Sequence, residues 1–387
     1  MDIRQLRRLF VPSRTLAIYM GKMHISRFIG ILLELTAILQ FLDLLAVSDE
    51  ILAADGSSWY SLASYVGLRA PQLISQFAPF AALIATLLTL GTLNQHSEVI
   101  IMKASGLSSH RILLPLGLAS FLIAIAHFTF NETVVVRGNA ELEYWQEHEY
   151  AVDLPANANL AGRVWVKEDL NMILAEAVNA VGERLALDRV SIFERDENKK
   201  MLAMVRADFA WYQDGKWVLH EVRRFDALTH ELTVKSVVDW PTRIKPARFM
   251  ALSVNAEHVS FPELWRAMER LEKQNLPTGR LMASFLQKLA APASTLLMPL
   301  LAAVAAFGVH RAGNLAVRLV FGMALGFSFF VADNFMLAMG KFGVAPPLLA
   351  SWAPFLLFLL VGYAVLFHTE EGTRIPSQNI KRTTDDA

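Results

Sequence analysis

Three His-Glu dipeptides, at His148, His220 and His230, are the nearest this chain comes to a hydrolytic metal signature. None has the second histidine, four residues after the first, that would place two imidazoles on one helix face around zinc. There is no cysteine, so thiolate nucleophiles, thiolate metal sites and disulfides are excluded. No GxxxxGK[ST] run occurs, so the chain cannot hold a nucleotide phosphate in the standard loop. No nucleophile stands in register with a base. What remains is electrostatic chemistry in unusual places: Glu34, Asp43, Arg69, Lys288 and Asp333 lie within or at the edges of long apolar runs. A charge left facing lipid costs ~2.5 to 3.5 kcal/mol on insertion scales, so these groups belong in a bundle interior or a cavity.

The elements that must position them are membrane helices. With 54% hydrophobic and 19% charged residues among 387, the chain is too apolar for an ordinary soluble protein. Its formal net charge of zero gives no bulk pull toward nucleic acid. Apolar runs near 28–47, 65–93 and 112–130, then 281–307, 316–339 and 348–367, each approach or exceed the roughly 20 residues a spanning helix needs. Cationic residues next to spans stay on the cytoplasmic side. Arg4, Arg7, Arg8, Arg14, Lys22 and Arg27 precede the first run, Lys103 and Arg111 follow the second, and Arg311 and Arg318 separate the fourth from the fifth. Both termini are therefore expected inside, with a retained basic N-terminal arm. The 48–64 loop, with Asp49, Glu50 and Asp55 and no Lys or Arg, is expected outside. Gly322 and Gly326 have the small-xxx-small spacing of closely approaching helices. Pro71, Pro79, Pro292 and Pro299 fall inside spans and read as kinks.

Between the two sets of three spans the residues alternate with period two, as in 163–168, 171–176, 189–195 and 231–239, and Asp214-Gly215 is a hairpin signal. The expected fold is thus a six-span helical membrane protein, three plus three, with an inserted all-β domain of sandwich, jellyroll or open-barrel type. Met172, Met204, Phe209, Trp211, Trp217 and Phe225 are expected in its core. Its limits are set at 131–262, after an N-terminal block at 1–130. An amphipathic helix beginning at Phe261 returns the chain to the spans at 263–368, and a polar, disordered tail is expected at 369–387.

One stretch, 97–106, is too short to cross a bilayer and too apolar for water. Ser97 is placed to cap a helix start and Gly106 to end it. Two helical turns rise only about 12 Å. Such a helix either packs under its own bundle or inserts in another protein's groove, and the sequence leaves both open.

The segment GTLNQHSEVIIMKASGLS, the preceding APFAALIATLLTL, the early RFIGILLELTAILQFLDLL and the long run from PASTLLMPLLAAVAAFG to LLASWAP resemble the LptF/LptG family of lipopolysaccharide export permeases, more closely its LptG branch. The resemblance covers essentially the whole chain. It implies a periplasmic β-jellyroll and makes 97–106 a coupling helix seated on a separate LptB-type ATPase dimer, where ATP and Mg bind, no cofactor being held by this chain. It implies that Glu98 meets basic groups of the ATPase, that Val99, Ile101 and Met102 fill its groove, and that Gly106 closes the helix. It further implies an LptF-type second permease, an LptC-type periplasmic bridge protein and lipopolysaccharide as cargo, in the inner membrane of a Gram-negative bacterium. An exporter of another amphiphile would have the same architecture.

For the cargo, Arg69 and Asp43 stand near the outer ends of their helices, where a cavity facing phosphate or simple snorkelling would both suit. Where related permeases carry basic residues after the third span, this chain has Glu141, Glu143, Glu147 and Glu149, with Arg137 the nearby cation. Arg27, Arg280 and Lys288, or bridging divalent cations, are the candidate replacements, and Glu34 completes the expected cavity set. Asp333, deep in its span, is expected to make a helix-to-helix hydrogen bond, because an anion repels an anionic lipid.

Overall fold

The computed structural model describes residues 13–152, 164–181, 184–198, 200–213, 215–253, 255–273, 277–308 and 315–371. In chain order the elements are α1 (Arg14–Ala53), α2 (Trp59–Gln95), α3 (Glu98–Ala104), α4 (Ser109–Phe130), a π-helical turn (Asn131–Val135) and α5 (Val136–Glu147). Strands β1 (Val164–Glu168), β2 (Asn171–Val181), β3 (Arg184–Arg195), β4 (Met201–Gln213), β5 (Lys216–Asp226) and β6 (Leu232–Trp240) follow. Then come α6 (Pro246–Ser253), α7 (Phe261–Lys273), α8 (Gly279–Gly308), α9 (Leu315–Lys341) and α10 (Pro347–Glu371). Six helical stretches, α1, α2, α4 running on into α5, α8, α9 and α10, are long and apolar enough to cross a membrane. Arg4, Arg7, Arg8, Arg163, Asp214, Arg311 and the tail from 372 onward lie outside the described residues.

The chain divides into two compact units, Met1–Leu45 with Ala70–Val135 and Leu286–Ala387, and Ala46–Arg69 with Val136–Phe285. In the first, the core is built on the small-residue stripe of α2. Ala78, Ala81, Ala82 and Ala85 are all but inaccessible and let Leu297, Met298, Leu301 and Ala302 of α8 pack closely. The glycine pair of α9 serves the same end: a Cβ on Gly326 would stand 2.3 Å from Leu83 Cδ2, and one on Gly322 2.7 Å from Leu87 Cδ1. Pro79 denies its helix one donor, leaving the Ser75 carbonyl without its partner four residues on; His127 of α4 stands within reach of that carbonyl.

The third span runs further than its apolar stretch. No glycine or proline interrupts the chain at Asn131, so the helix passes through the π turn and continues as α5, where Arg137, Glu141 and Glu143 make it polar. In α5 the buried residues are Val136, Gly138, Ala140 and Leu142.

In the second unit the six strands pair antiparallel in chain order, β1 to β6. Alternation buries Val166, Ile173, Ile192 and Val205 on one face. Cross-strand neighbours Met172, Phe193, Met204 and Phe225 share the other face. Of the side chains expected in the core, Trp217 is there, 1% exposed and donating from Nε1 to the Ile244 carbonyl at 2.8 Å. Met172, Met204, Phe209 and Trp211 are half-buried and Phe225 is exposed, because strand parity overrides apolarity. Phe249 of α6 closes one end of the core, edge-on to Trp217 at 5.4 Å. A capping box starts α7: the Ser260 N–H and hydroxyl donate to Glu263 Oε2 at 2.9 and 2.8 Å.

Candidate functional site: the α3 helix and the polar nodes of the bundle

The sequence 98–104 gives a helix because no breaker interrupts it before Gly106, whose backbone is left-handed at φ 88°. The ending is a Schellman motif, with Leu107 N–H bonded to the Met102 carbonyl at 3.1 Å and Gly106 N–H to Lys103 at 3.0 Å. Gly106 is thereby explained as the residue that tolerates this φ. Ser97 does not cap as expected. It sits at φ 59° with no cap hydrogen bond from its side chain, since the reversal at Asn94 turns it left-handed and a capping side chain needs an extended backbone.

Val99 and Met102, one turn apart, are buried among Met20, Leu90, Leu93, Ile112 and Phe307 of the chain's own bundle. Both side chains pack into this chain's own bundle. Ile100 and Ile101 are 61% and 65% exposed, so the free apolar surface is Ile101 with Ile100, a residue the sequence reading passed over. Both ends of the helix are tied to the bundle. Tyr19 of α1 donates its hydroxyl to Glu98 Oε1 at 3.3 Å, and Lys103 Nζ stands 4.9 Å from the Phe307 ring centroid of α8. No sequence signal marked Tyr19, which is 79 residues away from Glu98.

Arg27 donates from Nη2 to Thr92 Oγ1 at 3.0 Å, three residues before the end of α2; its Nη1 is solvent-excluded without a partner among the described residues. Glu34 is exposed on α1 and Asp43 is half-buried. Lys288 is held by Glu132 of the π turn at 3.1 Å, both side chains nearly buried, so a phosphate could reach it only by breaking that pair. These four belong to the first unit, whereas half-buried Arg69 and exposed Arg137 and Arg280 belong to the second. Glu143 is engaged locally: His258 Nδ1 lies at 2.7 Å and Asn255 Nδ2 donates to it at 3.2 Å. Burial lowers the His258 pKa from its ordinary value.

Three further polar nodes hold the bundle. His24 Nε2 lies 3.0 Å from Ser120 Oγ with Thr86 on its other nitrogen at 3.5 Å, all three buried. His127 Nε2 lies 2.9 Å from Ser75 Oγ and its Nδ1 3.4 Å from Thr295 Oγ1, while Asn131 donates to Ser75. Asp333 accepts from Gln287 Nε2 at 2.9 Å, the helix-to-helix hydrogen bond expected of it. Among the described residues no group of three His, Cys, Asp or Glu could hold a metal ion.

The chain is similar to the lipopolysaccharide export system permease protein LptG of Haemophilus influenzae, 26% identical over 303 residues, covering 77% of this chain and 83% of that protein. It is also 25% identical over 365 residues to LptG of Escherichia coli strain K12, covering 92% and 98%. Members of that family are transporter subunits and not enzymes. The model of the lipopolysaccharide export system permeases LptF/LptG matches residues 18–368, and with six candidate membrane helices among the described residues and one sheet inserted between the third and the fourth, the chain belongs to this family of multi-pass inner-membrane proteins.

Proposed function

We propose that this chain is the permease subunit of an ATP-driven exporter that draws lipopolysaccharide from the periplasmic leaflet and passes it toward the outer membrane along its β domain. An LptB-type ATPase dimer supplies the energy on the cytoplasmic side, an LptF-type permease completes the lipid cavity, and an LptC-type protein receives the cargo. Both termini are cytoplasmic and the β domain periplasmic. The observation that carries this reading is α3, a two-turn helix held by its own bundle on Val99 and Met102 while it leaves Ile100 and Ile101 exposed, with half-buried Glu98 at its start bonded to Tyr19. A groove with an apolar floor and a basic rim fits that surface.

Glu98→Lys reverses the charge at the docking face without touching the buried pair. It is expected to abolish ATP-dependent lipid release by the purified complex while the chain remains folded. Bulky substitution of Gly106 has the same expected effect, through the helix ending. Export and ATPase binding unaltered by Glu98→Lys would remove α3 from the coupling role. Because the chain has no cysteine, Ile101→Cys can be labelled selectively; modification from the periplasmic side would overturn the orientation.

A further inference from the structure

A cavity of roughly 160 Å³ opens between α2, α4, α8 and α9 in the membrane bundle, lined on its polar side by Gln76, His127, Gln287, Ser294, Asp333 and Asn334. At ~30 Å³ per water it holds about five water-sized groups, too few for a lipid acyl chain. Its chemistry is that of acceptors in need of a positive charge. The Asp333 carboxylate makes no ion pair among the described residues and accepts from the neutral amide of Gln287. Gln287 Oε1 is solvent-excluded with no hydrogen-bond partner among the described residues. The cations that could have answered are already engaged: Lys288 is on Glu132, and both ring nitrogens of His127 face hydroxyls, Ser75 and Thr295. The rest of the lining includes Phe80, Phe329, Phe330 and Met298, which lower the local dielectric and strengthen the pull of an unpaired carboxylate.

We propose that this cavity binds an alkali cation, anchored by the Asp333 carboxylate and Gln287 Oε1. One carboxylate balances one positive charge. Divalent ions are disfavoured, because all-protein sites for them gather several carboxylates or carbonyls in a fixed shell. The bound ion would tie α8 to α9, beside the close approach of Gly326 to α2, and so set the stiffness of the bundle wall that α9 contributes.

The full-length chain, purified in detergent, is unfolded thermally at pH 8 in NaCl, KCl, LiCl or N-methylglucamine chloride at equal ionic strength. The expected result is a saturable rise in Tm with at least one alkali cation over the organic cation, shifted tenfold or more to higher concentration in Asp333→Asn and in Gln287→Leu. If Asp333→Asn does not fold, Gln287→Leu decides, since it keeps the carboxylate and removes the side-chain amide, the orphan oxygen and the Nε2 donor together. No alkali cation raising Tm above the N-methylglucamine control, or both variants keeping the full response, overturns the site. Glu98→Lys should retain the wild-type cation response, so the site and the coupling role fail separately.

Discussion

Two ion pairs of nearly equal length occupy opposite environments. Lys288 and Glu132 in the bundle are 3.1 Å apart with side chains 10% and 13% exposed; Arg224 and Glu194 on the sheet are 2.8 Å apart with side chains 49% and 29% exposed. Geometry alone would rank the sheet pair stronger. Burial reverses the order of what each loses when broken, because a lone charge on the sheet is re-solvated and one in the bundle is not. The lesson extends to the polar nodes: in the bundle a hydrogen bond is a condition for the helix to be there, and on the sheet it is an adjustment.

The comparison is sharpest at the bundle pair. Lys288→Met should destabilise the purified chain by about 3–5 kcal/mol, because the nearly buried Glu132 carboxylate loses the cation that balances it. Adding Glu132→Gln should recover most of that loss, since the stranded charge is gone. Chemical unfolding of both variants in detergent measures this. A single variant within 1 kcal/mol of wild type would break the contrast on which the ranking rests.

Packing in the bundle comes next. Gly326→Ala must push a Cβ into Leu83, which is itself fully buried and cannot swing into solvent. A loss of about 1–3 kcal/mol is expected, the range for overpacked cores. Gly106→Ala, whose added Cβ meets nothing within 4 Å, tests a different cost, that of the left-handed φ.

These contrasts also show where the sequence speaks. The spans, the β insertion and the short α3 helix were legible because periodicity and run length report burial directly. Gly322 and Gly326 were legible as a close approach, and the structure supplies the residues they meet. Strand parity was not: Met172 and Met204 look like core residues by composition, but the register that decides their face depends on cross-strand partners on neighbouring strands, Phe193 for both and Phe225 for Met204. Long-range pairs were likewise silent, as with Tyr19 and Glu98 or Lys288 and Glu132, which are 156 residues apart. The side of α3 that packs on the bundle was silent for a related reason. A helix apolar all round does not say which side its own chain will claim.

The capping box of α7 ranks below the bundle contacts because it lies at an exposed helix start. Ser260→Ala should cost about 1 kcal/mol. Glu263 also carries a pH signature, since two hydrogen bonds from Ser260 hold its carboxyl below the ordinary value. A depressed folded pKa means that the contribution is present above the unfolded carboxyl value and disappears as pH falls through the folded one. Thermal scans between pH 6 and pH 3 should therefore show the wild type losing its advantage over Glu263→Gln as the solution is acidified.

The smallest effect belongs to the sheet pair. Arg224 reaches Glu194 with two guanidinium nitrogens, Nη2 at 2.8 Å and Nη1 at 3.4 Å, a fork that favours the stronger end of the surface range. Against that, both charges remain in contact with water and each side chain loses rotamer freedom in pairing. Arg224→Ala should cost no more than about 1 kcal/mol. Raising the salt to 1 M, where the Debye length falls to ~3 Å, should erase most of even that. Lys288→Met measured in the same two salts should hold its effect, because ions do not screen a pair they cannot approach. Equal salt dependence for the two variants would mean that water reaches Lys288 and Glu132, and the bundle would then have to be regarded as open at the π turn.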